Sequence, residues 1–185
     1  MKFSFKPLTP DRWTDFEKLF GDNGACGGCW CMTWRLSAKD FREKKGAGNK
    51  RGFKKIVEKG TPPGILAYSG NEAAGWISIA PRTEFVRLEN SKVLAPIDDH
   101  PVWSVTCFFV RKDFRNQGLT IELLNAAAEF ARKQGAKIVE GYPYEVKEKL
   151  APPFVWTGLR PSFKKAGFVE AARRSRTRPI MRRAL

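Results

Sequence analysis

Phe109-Val110-Arg111-Lys112-Asp113-Phe114-Arg115-Asn116-Gln117-Gly118-Leu119-Thr120 joins an apolar stretch to an amphipathic one, and its reading decides the fold. Upstream, residues 102–110 are near-continuously apolar, β-branched or aromatic, as a central buried strand requires. Downstream, Leu123, Leu124, Ala127, Phe130 and Ala131 form one stripe of a helix over 119–134, which Gly135 ends. Such a junction is an anion site by physics. Helix-start N–H groups point out of the loop, the helix dipole is positive there, and Gly118 lets the backbone approach a phosphate closely. Arg111, Lys112 and Arg115 add charge, so a diphosphate suits the loop. No Gly-Lys-Ser/Thr follows, and a single glycine stands where a dinucleotide fingerprint has three, which excludes both of those phosphate motifs.

Working outward, residues 137–141 read as a strand beside the long one, so that strand, helix and strand form a right-handed crossover. Residues 65–68 and 73–79 flank Ser69-Gly70-Asn71-Glu72, a hairpin signal. Residues 3–8 alternate as a first strand ended by Pro7 and Pro10. A helix follows, capped by Thr9 or Asp11, with Trp13, Phe16, Leu19 and Phe20 on its buried face. Residues 37–59 read as helical, opened by Ser37 or Asp40, with a weak point at Gly46-Ala47-Gly48; residues 81–101 read as a loop. The C-terminal part reads as a loop through Pro152-Pro153, a short helix near 161–165, a turn at 166–168, and an Arg-rich strand or tail.

The 185 residues fit one domain, 1–185, and 6 Trp with 14 Phe supply the apolar surface that a disordered chain lacks. No apolar run reaches the roughly 18 residues needed to span a bilayer, and the N-terminus has no signal-like apolar core, so a cytoplasmic protein with no membrane partner is expected. The net charge of +15 attracts anions: a phosphate-rich cofactor, an acidic substrate or a nucleic acid. Cys26, Cys29 and Cys31 crowd six positions, which is not a disulfide framework and fits a reducing cytosol. A structural zinc needs a fourth ligand, and only Cys107, inside the buried strand, remains, so no metal is expected.

Arg115-Asn116-Gln117-Gly118-Leu119-Thr120 resembles the Gln/Arg-x-x-Gly-x-Gly/Ala signature of the GNAT superfamily of N-acetyltransferases, with Thr120 in place of the small last residue. Phe163-Lys164-Lys165-Ala166-Gly167-Phe168 is similar to the family's Tyr-x-x-x-Gly-Phe ending, and the element order matches along most of the chain. The resemblance implies an α/β fold with a mixed, mostly antiparallel sheet of six to seven strands flanked by helices and splayed at the CoA-binding strand. It implies acetyl-CoA as cosubstrate and an N-acetyltransferase acting on a primary amine of a small molecule or a peptide N-terminus. Phe108, Phe109 and Val110 would hold pantetheine; Arg115, Asn116, Gln117, Gly118, Leu119 and Thr120 would hold the pyrophosphate; Asn125 could meet the cofactor.

Acetyl transfer needs a neutral amine and a proton for the departing thiolate. The family often supplies that proton from a tyrosine at the position of Phe163, which cannot donate. Tyr142 and Tyr144 are the alternative donors, and Glu140 and Glu145 are candidate bases beside them; Asp98, Asp99 and His100 precede the long strand and could reach the acceptor through water. Trp30, Trp34 and Arg35 are candidate substrate contacts next to the cysteines, against the plainer reading that they pack the N-terminal helices. Two other functions compete. One is a nucleic-acid-binding protein using the Lys-rich 39–59 region and the terminal arginines; the other is a CoA-binding fold without turnover. The acceptor is not written in the sequence, and a homodimer is compatible with it.

Overall fold

The computed structural model describes residues 2–145 and 155–185. The expected loop around Pro152 and Pro153 lies outside the described residues. Seven strands form one sheet: β1 (Phe3–Pro7), β2 (Gly64–Ser69), β3 (Glu72–Pro81), β4 (Trp103–Val110), β5 (Ile138–Gly141), β6 (Val169–Arg173) and β7 (Pro179–Ala184). Their order is β1-β2-β3-β4-β5-β7-β6, and β4–β5 is the one parallel pair. The helices are α1 (Trp13–Phe20), α2 (Ala38–Glu43), α3 (Ala47–Glu58), α4 (Val86–Glu89), α5 (Leu119–Lys133) and α6 (Arg160–Lys165).

Alternation along the central strands assigns the two faces. Ile77, Ile79, Val105 and Phe108 pack with Leu119, Leu123, Leu124 and Ala127 of α5. On the other face, Trp76, Leu66 and Phe109 pack with α1 and α3, where Phe16 stands edge-on to Trp76 at 4.9 Å and tilted against Phe53 at 5.1 Å.

Four expectations change or sharpen in detail. The helical stretch 37–59 is two helices, broken before Ala47 where Gly46 has a φ of 75°. Ser37 caps α2, its hydroxyl accepting from the Asp40 N–H, whereas α1 starts from a short 3₁₀ turn at Pro10–Arg12 with no side-chain cap. Residues 81–101 are not a simple loop: a 3₁₀ turn (Arg82–Glu84) and α4 bury Phe85, Leu88 and Leu94 against Tyr142 and Ile180. The Arg-rich end forms two strands, because Ile180 and Met181 of β7 are buried while β6 is an exposed edge.

One arrangement positions the site. Ser78 faces Cys107 and Ile79 faces Val105, so Thr106 is an extra residue that bulges β4. Parallel pairing of β4 with β5 covers Trp103–Val139, Ser104–Glu140 and Val105–Gly141 and then stops, leaving the two strands splayed.

Candidate active site

The loop after β4 is built to leave backbone donors bare. Asn116 and Gly118 have φ of 62° and 79°, and Gly118 is the N-cap of α5. None of the N–H groups from Asn116 to Thr120 meets an acceptor among the described residues. Arg115 folds back, its Nε donating to the Val110 carbonyl at 3.0 Å. Arg111 is neutralised locally by Glu72 at 2.9 Å and Asp113 at 3.4 Å, so the loop's attraction for anions rests on its amides, Lys112 and Arg115. Leu119, the first residue of α5, is buried, Thr120 is half-buried, and Gln117 is exposed. Asn125, within α5, accepts from Arg183 of β7 at 2.7 Å.

The Arg111 N–H bonds to the Ala74 carbonyl, so alternation turns Phe109 toward β3 and turns the polar groups of Phe108 and Val110 toward the splay. The Phe108 N–H already donates to the Trp156 carbonyl at 2.6 Å. Phe163 fills the splay from the α5 side, edge-on to Phe108 with ring centroids 6.0 Å apart.

Where β4 and β5 are still paired, a buried polar network crosses them. Arg82 donates to Glu140 Oε1 at 3.1 Å, to Tyr142 Oη at 2.7 Å, and to the carbonyls of Leu88 and Leu94 at 3.0 and 2.8 Å. Tyr142 Oη donates to Glu140 at 2.6 Å and lies 2.8 Å from Ser104 Oγ. Arg182 donates to the other Glu140 oxygen at 2.7 Å. Burial and the Glu140 charge push the Tyr142 hydroxyl well above its ordinary range. Tyr144 is half-buried beyond the network, with the Arg178 cation 4.1 Å above its ring. Glu145 is paired with Arg160 and Arg173; Asp98, Asp99 and His100 are exposed, Asp98 held by Arg182. Arg82 and Ser104 were not singled out by sequence, since nothing local in Pro81-Arg82-Thr83-Glu84 distinguishes a buried arginine from a solvated one.

The third wall comes from residues 29–35. Trp30 is buried in the aromatic cluster, stacked on Trp13 and Phe20 at 6.4 and 5.8 Å. Trp34 lies against Trp156 at 5.8 Å, and Arg35 is buried over the Phe85 ring at 4.6 Å. Trp30 and Cys31 both have positive φ, 43° and 61°, a strained turn that drives Cys31 inward, where Trp76 Nε1 donates to its sulfur at 3.1 Å. Burial pushes the Cys31 thiol up, but hydrogen bonds from Cys107, Trp76 and Ser78 and the Arg35 charge bring it below its ordinary value. Cys107 is pushed well above its own by the bond to Cys31 and by burial. Cys26 is exposed and Cys29 half-buried; among the described residues no group of three metal-ligating side chains converges. Nor is any helix there long and apolar enough to cross a membrane. Two open clefts, of about 410 Å³ beside Trp34 and Arg87 and about 300 Å³ beside Trp103 and Gln134, are separate from the phosphate-type loop.

A family model described as "Acetyltransferase (GNAT) family" matches residues 30–143. No curated protein matches the sequence. Among solved structures, the chain is similar to a GNAT-family acetyltransferase from Listeria monocytogenes (11% identity, TM-score 0.61, 99% of this chain and 95% of that one). It is also similar to a putative GNAT-family acetyltransferase from Desulfovibrio desulfuricans (14%, TM-score 0.54, 99% of each). A third is the PaiA N-acetyltransferase from Thermoplasma acidophilum in complex with coenzyme A (13%, TM-score 0.55, 100% of each).

Proposed function

The chain belongs to the acetyltransferase (GNAT) family, and from that premise we propose that it moves an acetyl group from acetyl-CoA to a primary amine of a small molecule or a peptide N-terminus. We read residues 1–185 as one such domain, working in the cytoplasm. The observation that carries this reading is the row of N–H groups from Asn116 to Thr120 without acceptors among the described residues, at the mouth of a splayed strand pair. The family's cosubstrate supplies the acyl group as an activated thioester.

The chain's own residues divide the work. The amides of Asn116 to Thr120 and the positive end of α5 hold the diphosphate. The Phe108 carbonyl and Val110 N–H face the splay and pair with an amide-bearing arm as an added strand would, while Phe109 braces the strand against Phe20 at 5.4 Å. The Trp156 carbonyl on the Phe108 N–H is a strand-like partner of the same kind. Asn125 is left to the contact with Arg183.

Proton handling falls to the segment after β5. Glu140 spends its oxygens on Arg82, Tyr142 and Arg182, which makes it a positioning residue that fixes Tyr142. Tyr142 Oη is committed to that network, so we assign Tyr144 Oη as the proton source for the departing sulfur. Trp34 and Arg35 face the acceptor, with Trp30 supporting them from the core. Calorimetry with CoA and acetyl-CoA, followed by thiol release with an amine panel, tests the reading. Micromolar-range binding and amine-dependent thiol release are expected; a protein that binds neither compound contradicts it.

A further inference from the structure

Four buried side-chain donors without a partner among the described residues belong to two segments that touch: Trp34 Nε1, Arg35 Nε, Arg35 Nη2 and Thr157 Oγ1. The contact is the one between the Trp34 and Trp156 rings. Through the Trp156 carbonyl this pair of segments is attached to Phe108, whose polar groups face the splay where the acetyl group is to be delivered. Buried donors are nearly always satisfied, and a group of bare ones beside a reaction centre points to a polar ligand.

Arg35 sets the chemistry of that ligand. Its side chain is only 3% exposed; Nη1 donates to Glu84 Oε2 at 2.5 Å, and the guanidinium carbon sits 4.6 Å from the centroid of the buried Phe85 ring, which holds it away from water. The bare atoms, Nε and Nη2, are the two donors of one side of the guanidinium. Together they form the fork that matches the two oxygens of a carboxylate. The walls, Phe85 and the paired tryptophans, favour a planar, singly charged group over a heavily hydrated dianion such as phosphate. The Arg35–Glu84 pair is neutral as it stands, and a ligand bringing both a carboxylate and an amine keeps it so.

We propose that the acceptor is an amine that also carries a carboxylate, an amino-acid-like compound, and that Arg35 holds that carboxylate through Nε and Nη2. This rests on the transfer reading above and narrows its substrate class. Arg35 is then a specificity-determining residue that touches the substrate.

Glycine, methionine and phenylalanine, each beside its own carboxamide, are the probes, with phosphoethanolamine as the phosphate-bearing amine. Binding is measured by calorimetry on the full chain with and without CoA, and turnover by thiol release from acetyl-CoA. A site built to bond a polar group rejects the analogue lacking it, so the acid of at least one pair should exceed its amide about 100-fold in kcat/KM. Arg35→Lys, which keeps the charge and loses the fork, should cut that preference to roughly tenfold, and Arg35→Gln should abolish it while acetyl-CoA affinity stays within about twofold. Equal binding of acid and amide by the wild-type protein overturns the proposal, whatever the variants do, as does the failure of every acid to bind or tighter binding of phosphoethanolamine. An acid preference in a protein that binds no acetyl-CoA leaves Arg35 standing and sinks the transfer reading; acetyl-CoA turnover with indifferent acids does the reverse.

Discussion

Gly118 combines a φ of 79° with open space where a side chain would begin, so the space in front of its amide is left for a ligand. Gly118→Val puts a branched side chain there, and the left-handed backbone adds about 1–2 kcal/mol of strain. The expected result is acetyl-CoA affinity down tenfold or more by calorimetry, with Gly118→Ala between the two and thermal unfolding measured for each to separate strain from obstruction. Tyr144→Phe should lower kcat about 100-fold with acetyl-CoA affinity unchanged, the scale of a lost general acid, whereas Tyr142→Phe should act mainly on stability because its hydroxyl joins Arg82, Ser104 and Glu140. Unchanged turnover in Tyr144→Phe would mean that the thiolate leaves unaided. At this scale the phosphate-type loop was legible, since strand, basic turn, glycine and helix are consecutive in the chain. Arg82, Ser104 and the bare fork of Arg35 were not, because each owes its state to partners between 6 and 60 positions away.

Among the elements, β5 depends on a residue with no side chain. A Cβ on Gly141 would lie 2.2 Å from Phe163 Cε1, and that ring has no room to retreat, being edge-on to Phe108 and Phe168 at 6.0 and 5.1 Å. Gly141→Ala should therefore cost about 1–3 kcal/mol by overpacking, read as a drop in denaturation midpoint, and Gly141→Ala with Phe163→Leu should recover much of it. Element types followed from the apolar pattern, a one-faced stripe for α5 and a near-continuous apolar run for β4, which is packed on both faces. Periodicity was mute for residues 81–101, whose order comes from one buried guanidinium capturing the Leu88 and Leu94 carbonyls, and the terminal arginines read as a strand or tail without showing that β6 and β7 are two strands, which pairing with β5 and with each other sets. The break between α2 and α3 falls at Gly46, inside the Gly46-Ala47-Gly48 stretch that reads as the weak point.

Across the whole molecule, Asp98 in the approach to β4 is tied to Arg182 of β7, which in turn holds Glu140 of β5. The Arg182 hydrogen bonds lower the Asp98 carboxyl to about 2, below the roughly 3.9 of an unfolded chain. Its contribution is thus present above about pH 4 and lost as pH falls through about 2. Asp98→Asn should be less stable than the wild type near pH 6 in denaturant titration, with the difference shrinking toward zero as pH falls to and below about 2; a constant difference across that range would contradict the assignment. The hairpin and the crossover were legible locally, whereas the mostly antiparallel sheet and its splay were expected only by resemblance. That splay divides the sheet into β1–β4 and β5–β7, joined by the pairs Trp103–Val139, Ser104–Glu140 and Val105–Gly141 and by the Arg82 network at its closed end. Seen as deuterium uptake, the molecule then has a seam: amides of β2 and β3, paired on both sides, exchange last, and the Phe108 amide exchanges at the rate at which the Trp156 segment lifts away. Occupancy of the splay slows the Val110 amide first, so this pair of neighbouring amides is a native clock for which partner, loop at Phe108 or ligand at Val110, holds the edge at a given moment.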